Sequence, residues 1–328
     1  MDNRVLVTGA DGMLGSNLVR ELLARKYNVR AFVQPGRFVK TLDGLDIEIA
    51  CGDVLNIADV EDAMRDCDYV IHAAASTAIW PARSRKVYDI NLEGTMNVVW
   101  AATALKIKRL VHVSSANVFA AGSENLPGDE SGNFNGDKYG LDYINSKYDA
   151  QKVVMKAVHC GLDAIVVNPT FMIGPYDSAQ GSNSIILALY KGKIMVNPPG
   201  GKNFVCAKDA AIAICNALTM GRRGECYILG NQNLSYKDFL QLIAGIVNTK
   251  APRLTLSPSL IKFFGASTSM LAAIAHKRPL VSKTVARISC DQHFFSAKKA
   301  VLELQLPQTP VAKGIQEAFT WFKDNGYA

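Results

Sequence analysis

The run Val5-Leu6-Val7-Thr8-Gly9-Ala10-Asp11-Gly12-Met13-Leu14-Gly15 is an apolar strand pattern that breaks into glycines spaced three apart. It then enters a helical pattern with Leu14, Leu18 and Leu22 on one face. Few folds accept a strand that hands over to a helix this way. The missing side chains permit a tight bend, close packing of helix on strand, and approach of a phosphate to backbone N–H groups at the positive end of the helix dipole. An ordinary glycine-rich βα turn has the same letters. Its place at the first strand of the chain favours the phosphate-binding reading.

Further runs at Val29–Val33, Ile47–Cys51, Tyr69–Ala73, Leu110–Ser114 and Ala164–Asn168 read as buried strands. Helical segments alternate with them, the longest from Val87 to Leu105. That rhythm predicts an α/β fold, a doubly wound parallel (Rossmann) sheet with right-handed crossovers and ligands at the carboxyl ends of its strands. A chain of 328 residues is long for one core. After Asn168 the rhythm stops in Pro- and Gly-rich connections such as Asn197-Pro198-Pro199-Gly200-Gly201. Residues 1–170 and about 203–230 are therefore expected to form a dinucleotide-binding domain, the second piece through a helix around Asp209–Met220 and a strand at Cys226–Leu229. About 171–202 and 231–328 are expected to form a smaller, mainly helical C-terminal substrate lobe.

Composition narrows the class. A hydrophobic fraction of 49% and a charged fraction of 20% are those of an ordinary soluble globular protein. The longest apolar candidate, Leu260 to Ala275, is broken by Lys262, Gly265, Ser267 and Ser269 and reads as a lobe helix rather than a membrane span. The first strand begins too early for a signal peptide. Seven cysteines lie scattered with no Cys-x-x-Cys, which predicts reduced thiols in the cytoplasm, no disulfide framework and no metal. The net charge of +7 is dispersed, and its tightest groups, Arg83/Arg85/Lys86 and Lys106/Lys108/Arg109, are too small for a nucleic-acid groove. The expected partner is a small molecule, with a homodimer left open.

Chemistry gathers at expected strand ends. Tyr143-Ile144-Asn145-Ser146-Lys147 sets a phenol one helical turn from an ammonium, and Tyr148 with Lys152 repeats the spacing five residues on. At about 100° per residue the two pairs lie roughly 140° apart. The apolar stripe Ala150/Val153/Val154/Ala157 continues back through Lys147 and Tyr143, so these face inward and Tyr148 and Lys152 face water. Burying an ammonium is costly unless it serves something. Beside an oxidised, cationic nicotinamide, Lys147 would lower the phenol's pKa and make Tyr143 an acid–base group. The bland alternative is a structural tyrosine above a snorkelling lysine. Ser114-Ser115 closes the fifth strand, where a hydroxyl could hold a carbonyl oxygen beside that phenol.

Candidate dinucleotide contacts are Gly9, Gly12, Met13, Leu14 and Gly15 in the turn, and Asp53 with Val54 after the third strand. Asp53 reads as an adenine contact or a helix cap. Ala73, Ala74 and Ala75 follow His72, where a backbone can lie flat against a ribose or nicotinamide. Ser114, Tyr143 and Lys147 complete the nicotinamide side. Asn91, expected to start the helix between the fourth and fifth strands, braces the lysine region or the helix itself. After the second strand no acid appears between Val33 and Asp43, and Arg37 stands ready for a 2′-phosphate, so NADP is the expected cofactor with NAD also admitted. Residues 76–86 are expected to rim the substrate pocket, with Thr77, Trp80, Ser115 and Phe171 as contacts; a solvated loop is the alternative.

These residues resemble the extended short-chain dehydrogenase/reductase superfamily (the NAD-dependent epimerase/dehydratases), and within it the dihydroflavonol reductase-like branch. The resemblance runs over nearly the whole chain: the glycine turn, Gly52-Asp53, His72–Ala75, Asn91–Thr95, Ser115, Tyr143/Ser146/Lys147, Asn168-Pro169-Thr170 and Gly174-Pro175. Trp80, Tyr88 and the tail Trp321-Phe322-x-x-x-Gly326-Tyr327 fit that branch. It implies that Ser115 steadies the substrate oxygen, Tyr143 transfers the proton, Lys147 holds the ribose and tunes the phenol, and Pro169 touches the nicotinamide end. Sugar-nucleotide epimerases of the superfamily tend to carry an Asn after the sixth strand and an arginine near Lys202-Asn203. This chain has Asn168-Pro169-Thr170-Phe171 and no such arginine. The family's common glutamate is Gln151 here, expected to affect packing alone. The expectation is an NADP-dependent oxidoreductase passing a hydride between nicotinamide and a ketone or aldehyde. Its rivals are a nucleotide-sugar epimerase that retains its NAD(P), and a cofactor-sensing binding protein without turnover.

Overall fold

The structure, a computed structural model, describes residues 3–36, 39–274, 279 and 281–328. The first half reads β1 Arg4–Thr8, α1 Met13–Ala24, β2 Asn28–Val33, β3 Glu48–Cys51, α2 Ile57–Met64, β4 Tyr69–His72, α3 Arg85–Ala104, β5 Arg109–Val113, α4 Asp142–His159 and β6 Ala164–Pro169. There follow β7 Phe171–Ile173, α5 Ser184–Tyr190, β8 Val196–Asn197, β9 Gly201–Cys206, α6 Ala207–Asn216, β10 Cys226–Leu229, β11 Gln232–Ser235 and α7 Tyr236–Val247. The chain ends with β12 Leu254–Thr255, α8 Pro258–Ile274, α9 Lys283–Ile288, β13 Gln292–His293, α10 Lys298–Glu303 and α11 Val311–Asp324.

Seven strands form one parallel sheet in the order β10-β6-β5-β4-β1-β2-β3. The order reverses between β1 and β4, so their carboxyl ends open a crevice where this topology binds ligands. Strands covered on both faces need apolar side chains on both. Val5, Val7, Ile71, Val111 and Ile165 pack towards α1 and α6, while Leu6, Val70, Leu110 and Val166 pack towards α2, α3 and α4. These expected strands appear within a residue of where the apolar runs put them, but β3 is not buried as expected: it is the edge strand, with Ile49 47% exposed.

A second, four-stranded sheet is built from β11, β9 and β13, with β7 also paired to β9. β9 falls in the stretch assigned from sequence to the dinucleotide-binding domain, yet it is hydrogen-bonded into this small sheet. Phe204, Phe171 and Phe239 form its core with Ile243, Val311 and Ile315 from α7 and α11. Because β7 follows β6 after a single residue, this sheet is tied directly to the carboxyl end of the large one.

Candidate active site

The three glycines of the first turn do different work. Gly9 has φ +67°, and a Cβ there would fall 2.7 Å from the Ala74 Cα; one at Gly15 would fall 2.1 Å from the Gly9 carbonyl oxygen. Both are demanded by the packing of β1, α1 and the end of β4. At Gly12 a Cβ would meet only the Gly9 carbonyl oxygen, at 3.4 Å. Gly12 is exposed, caps α1, and is followed by no acidic residue in the first helical turn. An open backbone at a helix N-terminus without a side-chain cap fits a pyrophosphate. Leu14 is buried, and the Met13 sulfur accepts a hydrogen bond from Asn183 Nδ2 at 2.8 Å.

The end of β4 is clamped to this turn. Thr8 Oγ1 bonds His72 Nδ1 at 2.8 Å and accepts from the Ala74 amide at 3.1 Å, while His72 Nε2 meets Thr95 Oγ1 at 3.1 Å. Ala73, Ala74 and Ala75 follow half-buried. Beyond β3, Asp53 is half-buried and its Oδ1 accepts from the Leu55 amide at 3.0 Å. The helix cap belongs to Asn56, not Asp53, since Asn56 Oδ1 takes the Ala58 amide at 3.1 Å. Val54 is buried against Gly94 of α3. Arg37 lies outside the described residues.

On α4, Lys147 is buried and its Nζ donates to the Val113 carbonyl oxygen, the last of β5, at 2.8 Å. The next residues are Ser114 and Ser115, both buried. The Ser115 hydroxyl accepts from the Asn117 amide at 3.3 Å and lies near enough to the Tyr143 phenol to act on its ionisation. Burial pushes that phenol up, with Ser115 opposing, and burial pulls the Lys147 ammonium down to about 8. Behind them stand His72 and His112, rings 5.4 Å apart. Burial, with Lys147 adding to it, brings His72 to about 3 and His112 well below its ordinary value. Tyr148 does not face water as the helical arithmetic had it. It is half-buried, stacked on Phe134 with ring centroids 4.0 Å apart; its partner Lys152 is exposed.

Amide side chains hold this arrangement, and little of that was visible in the sequence. Asn91 does not start α3 but sits inside it. Its Oδ1 accepts from the Ser76 amide at 2.8 Å, and its Nδ2 donates to the Ser76 carbonyl at 3.1 Å and to Ser146 Oγ at 2.9 Å. Asn168 Nδ2 donates to the Ser115 carbonyl at 3.1 Å and to Gln151 Oε1 at 2.8 Å, so Gln151 joins a polar chain rather than merely packing. The 76–86 loop is tied down at its far end as well. Asp142, the first residue of α4, accepts from the Ser84 amide at 2.7 Å and Arg83 Nη1 at 2.8 Å. Arg85 pairs with Asp89 and Glu93, and both arginine side chains stay largely exposed. Thr77 is exposed and Trp80 half-buried in that loop. Pro169 ends β6 in a buried position; Phe171, half-buried, lies with its ring 5.4 Å from Phe204 and beneath Lys202 Nζ at 5.0 Å.

Comparison with known proteins adds to this geometry. The model of the NAD dependent epimerase/dehydratase family matches residues 5–230. A candidate dihydroflavonol 4-reductase of Synechocystis sp. is 31% identical over 98% of this chain and 95% of its own. Sterol demethylase protein B of Methylococcus capsulatus is 30% identical over 98% of both chains. Among solved structures, that of gox2253 superposes with a TM-score of 0.87 at 28% identity, covering 99% of each chain.

Proposed function

As this chain belongs to the NAD-dependent epimerase/dehydratase family and is an NAD(P)-dependent oxidoreductase, we propose that it reduces a ketone or aldehyde with NADPH, Tyr143 serving as proton donor. The observation that carries this reading is the buried Lys147 ammonium, one helical turn from Tyr143 and bonded to the Val113 carbonyl at the strand end that leads into buried Ser114 and Ser115. An ordinary phenol is protonated at neutral pH and burial pushes this one further up, so Tyr143 is in the form a reduction consumes.

The turn around Gly12 would hold the pyrophosphate, Ala73 to Ala75, Ser114 and Pro169 would border the nicotinamide half, and Asp53 would receive the adenine amino group. When bound, the dinucleotide supplies the hydride. The chain's own groups manage the oxygen. Ser115 donates a hydrogen bond to the substrate oxygen and orients it, and Tyr143 gives that oxygen its proton. Lys147 has three N–H donors and spends one on Val113. The others are available to the ribose and to the phenolate left after proton transfer. Asn91 and Asn168 position the parts, one through Ser146 and Ser76, the other through the Ser115 carbonyl. Thr77, Trp80 and Phe171 would bound the substrate.

The preference for NADP(H) rests on Arg37 and on the lack of an acid between Val33 and Asp43. The test is a panel of carbonyl compounds and nucleotide sugars with NADPH, following absorbance loss and sugar inversion separately. Net oxidation of NADPH by carbonyls supports the proposal; inversion of a sugar without net oxidation overturns it.

A further inference from the structure

Helix α8 has two apolar faces and spends only one. Ile261, Gly265 and Ala272 turn inward and are buried. Gly265 lies so near α9 that a Cβ would come within 2.3 Å of the Ala286 Cβ, and Thr268 Oγ1 donates to the Val281 carbonyl at 2.5 Å. Half a turn away, Leu260, Phe263 and Met270 are 55%, 72% and 69% exposed, with Phe264 at 45% beside them. Single exposed apolar residues are ordinary, but four gathered on one helix face mark a contact surface.

The charge around this face is as lopsided as its hydrophobicity. From Phe239 to Cys290 the chain carries no Asp or Glu and seven Lys and Arg, a number equal to the net charge of the whole protein. Lys262 is exposed on α8 itself. Exposed Lys283 is held beside the helix, its amide donating to Ser269 Oγ at 2.8 Å. Exposed Lys250 and Arg253 precede it, next to Leu254, which is 59% exposed. A second copy of the chain would set these cations against themselves, at a cost no acid in the segment offsets. An anionic bilayer surface supplies both things the face lacks, hydrocarbon for the rings and thioether and negative headgroups for the ammonium groups.

We propose that the outer face of α8 docks this protein on anionic lipid, the helix lying in the plane of the headgroups. No helix among the described residues is long and apolar enough to cross a membrane, so the contact is peripheral. It stands whether or not the reductase reading does.

The experiment is co-sedimentation of the full chain with vesicles of phosphatidylcholine alone or with about a third phosphatidylglycerol. The anionic vesicles should bind the protein at least tenfold more strongly, and added salt should weaken that binding. Phe263→Ser with Met270→Ser, and separately Lys262→Glu with Lys283→Glu, should each cut binding at least tenfold without lowering the melting temperature. Turnover of a water-soluble substrate should not change. Failure to bind anionic vesicles, or binding that survives both double variants, overturns the proposal. So does a dimer in analytical ultracentrifugation that the Phe263/Met270 variant dissociates, since the face would then belong to a second copy.

Discussion

Replacing Lys147 with Met should stabilise the cofactor-free protein near neutral pH while ending its chemistry. The side chain is 4% exposed, and burial brings its pKa from the ordinary 10.5 to about 8. That shift is a cost of about 3 kcal/mol for holding the charge in the folded chain at pH 7. Methionine keeps the length without the charge, and loses the ammonium's hydrogen bond to the Val113 carbonyl, worth about 1.5 kcal/mol. A net gain of about 1–2 kcal/mol remains, which for a chain of this size raises the melting temperature by about 2 °C. Because the folded pKa lies below the unfolded one, the unfolded chain binds more protons between pH 8 and 10.5, and wild-type stability rises through that window. Urea denaturation of both proteins at pH 7 and pH 10 is the assay. The variant should be the more stable at pH 7 and lose that advantage by pH 10. A variant less stable at pH 7, by an amount independent of pH, would refute the idea that the ammonium is held at a cost for function.

Three further outcomes can be checked. Gly12→Ala should fold normally and lose dinucleotide affinity at least tenfold by titration, whereas Gly9→Ala, forced against Ala74 at φ +67°, should lower the melting temperature itself; equal effects on both properties would remove the distinction between them. His72 and His112 are buried neutral, so the unfolded chain binds more protons below pH 6.5, and stability should fall on acidification through pH 5; His112→Leu should flatten that fall by about 1.4 kcal/mol per pH unit, and an unaltered slope would contradict it. Arg37→Ala should weaken NADPH binding and leave NADH binding nearly unchanged, and tighter binding of NADH by the unaltered protein would sink the preference for the phosphorylated cofactor.

The large sheet was legible because strands buried on both faces write themselves as continuous apolar runs, as in Arg4–Thr8 and Ala164–Asn168. The small sheet was not. Its strand Gln232-Asn233-Leu234-Ser235 is polar and four residues long, β13 has two residues, and both pair with β9 across tens of residues of chain. Within the site, helical spacing carried Lys147 to the sheet and Tyr143 to Ser115, since both follow from the buried stripe of α4. The same spacing said nothing of Phe134, which comes from the loop leading into α4 to cover Tyr148. Asn91, Gln151 and Asn168 were hard to read for a related reason. An amide side chain declares no partner, and Asn91 and Asn168 each bond a backbone group that only the folded chain brings near.

The central claim is that Tyr143 supplies the proton while the glycine turn holds the cofactor, and one variant separates the two. Tyr143→Phe should bind NADPH within about twofold of the unaltered protein and reduce carbonyl substrates about a hundredfold to ten-thousandfold more slowly, as loss of a positioned general acid implies. Tyr148→Phe, which keeps the ring stacked on Phe134, serves as the control and should keep its rate. Substantial turnover by Tyr143→Phe, or loss of the reaction in Tyr148→Phe instead, would contradict the account.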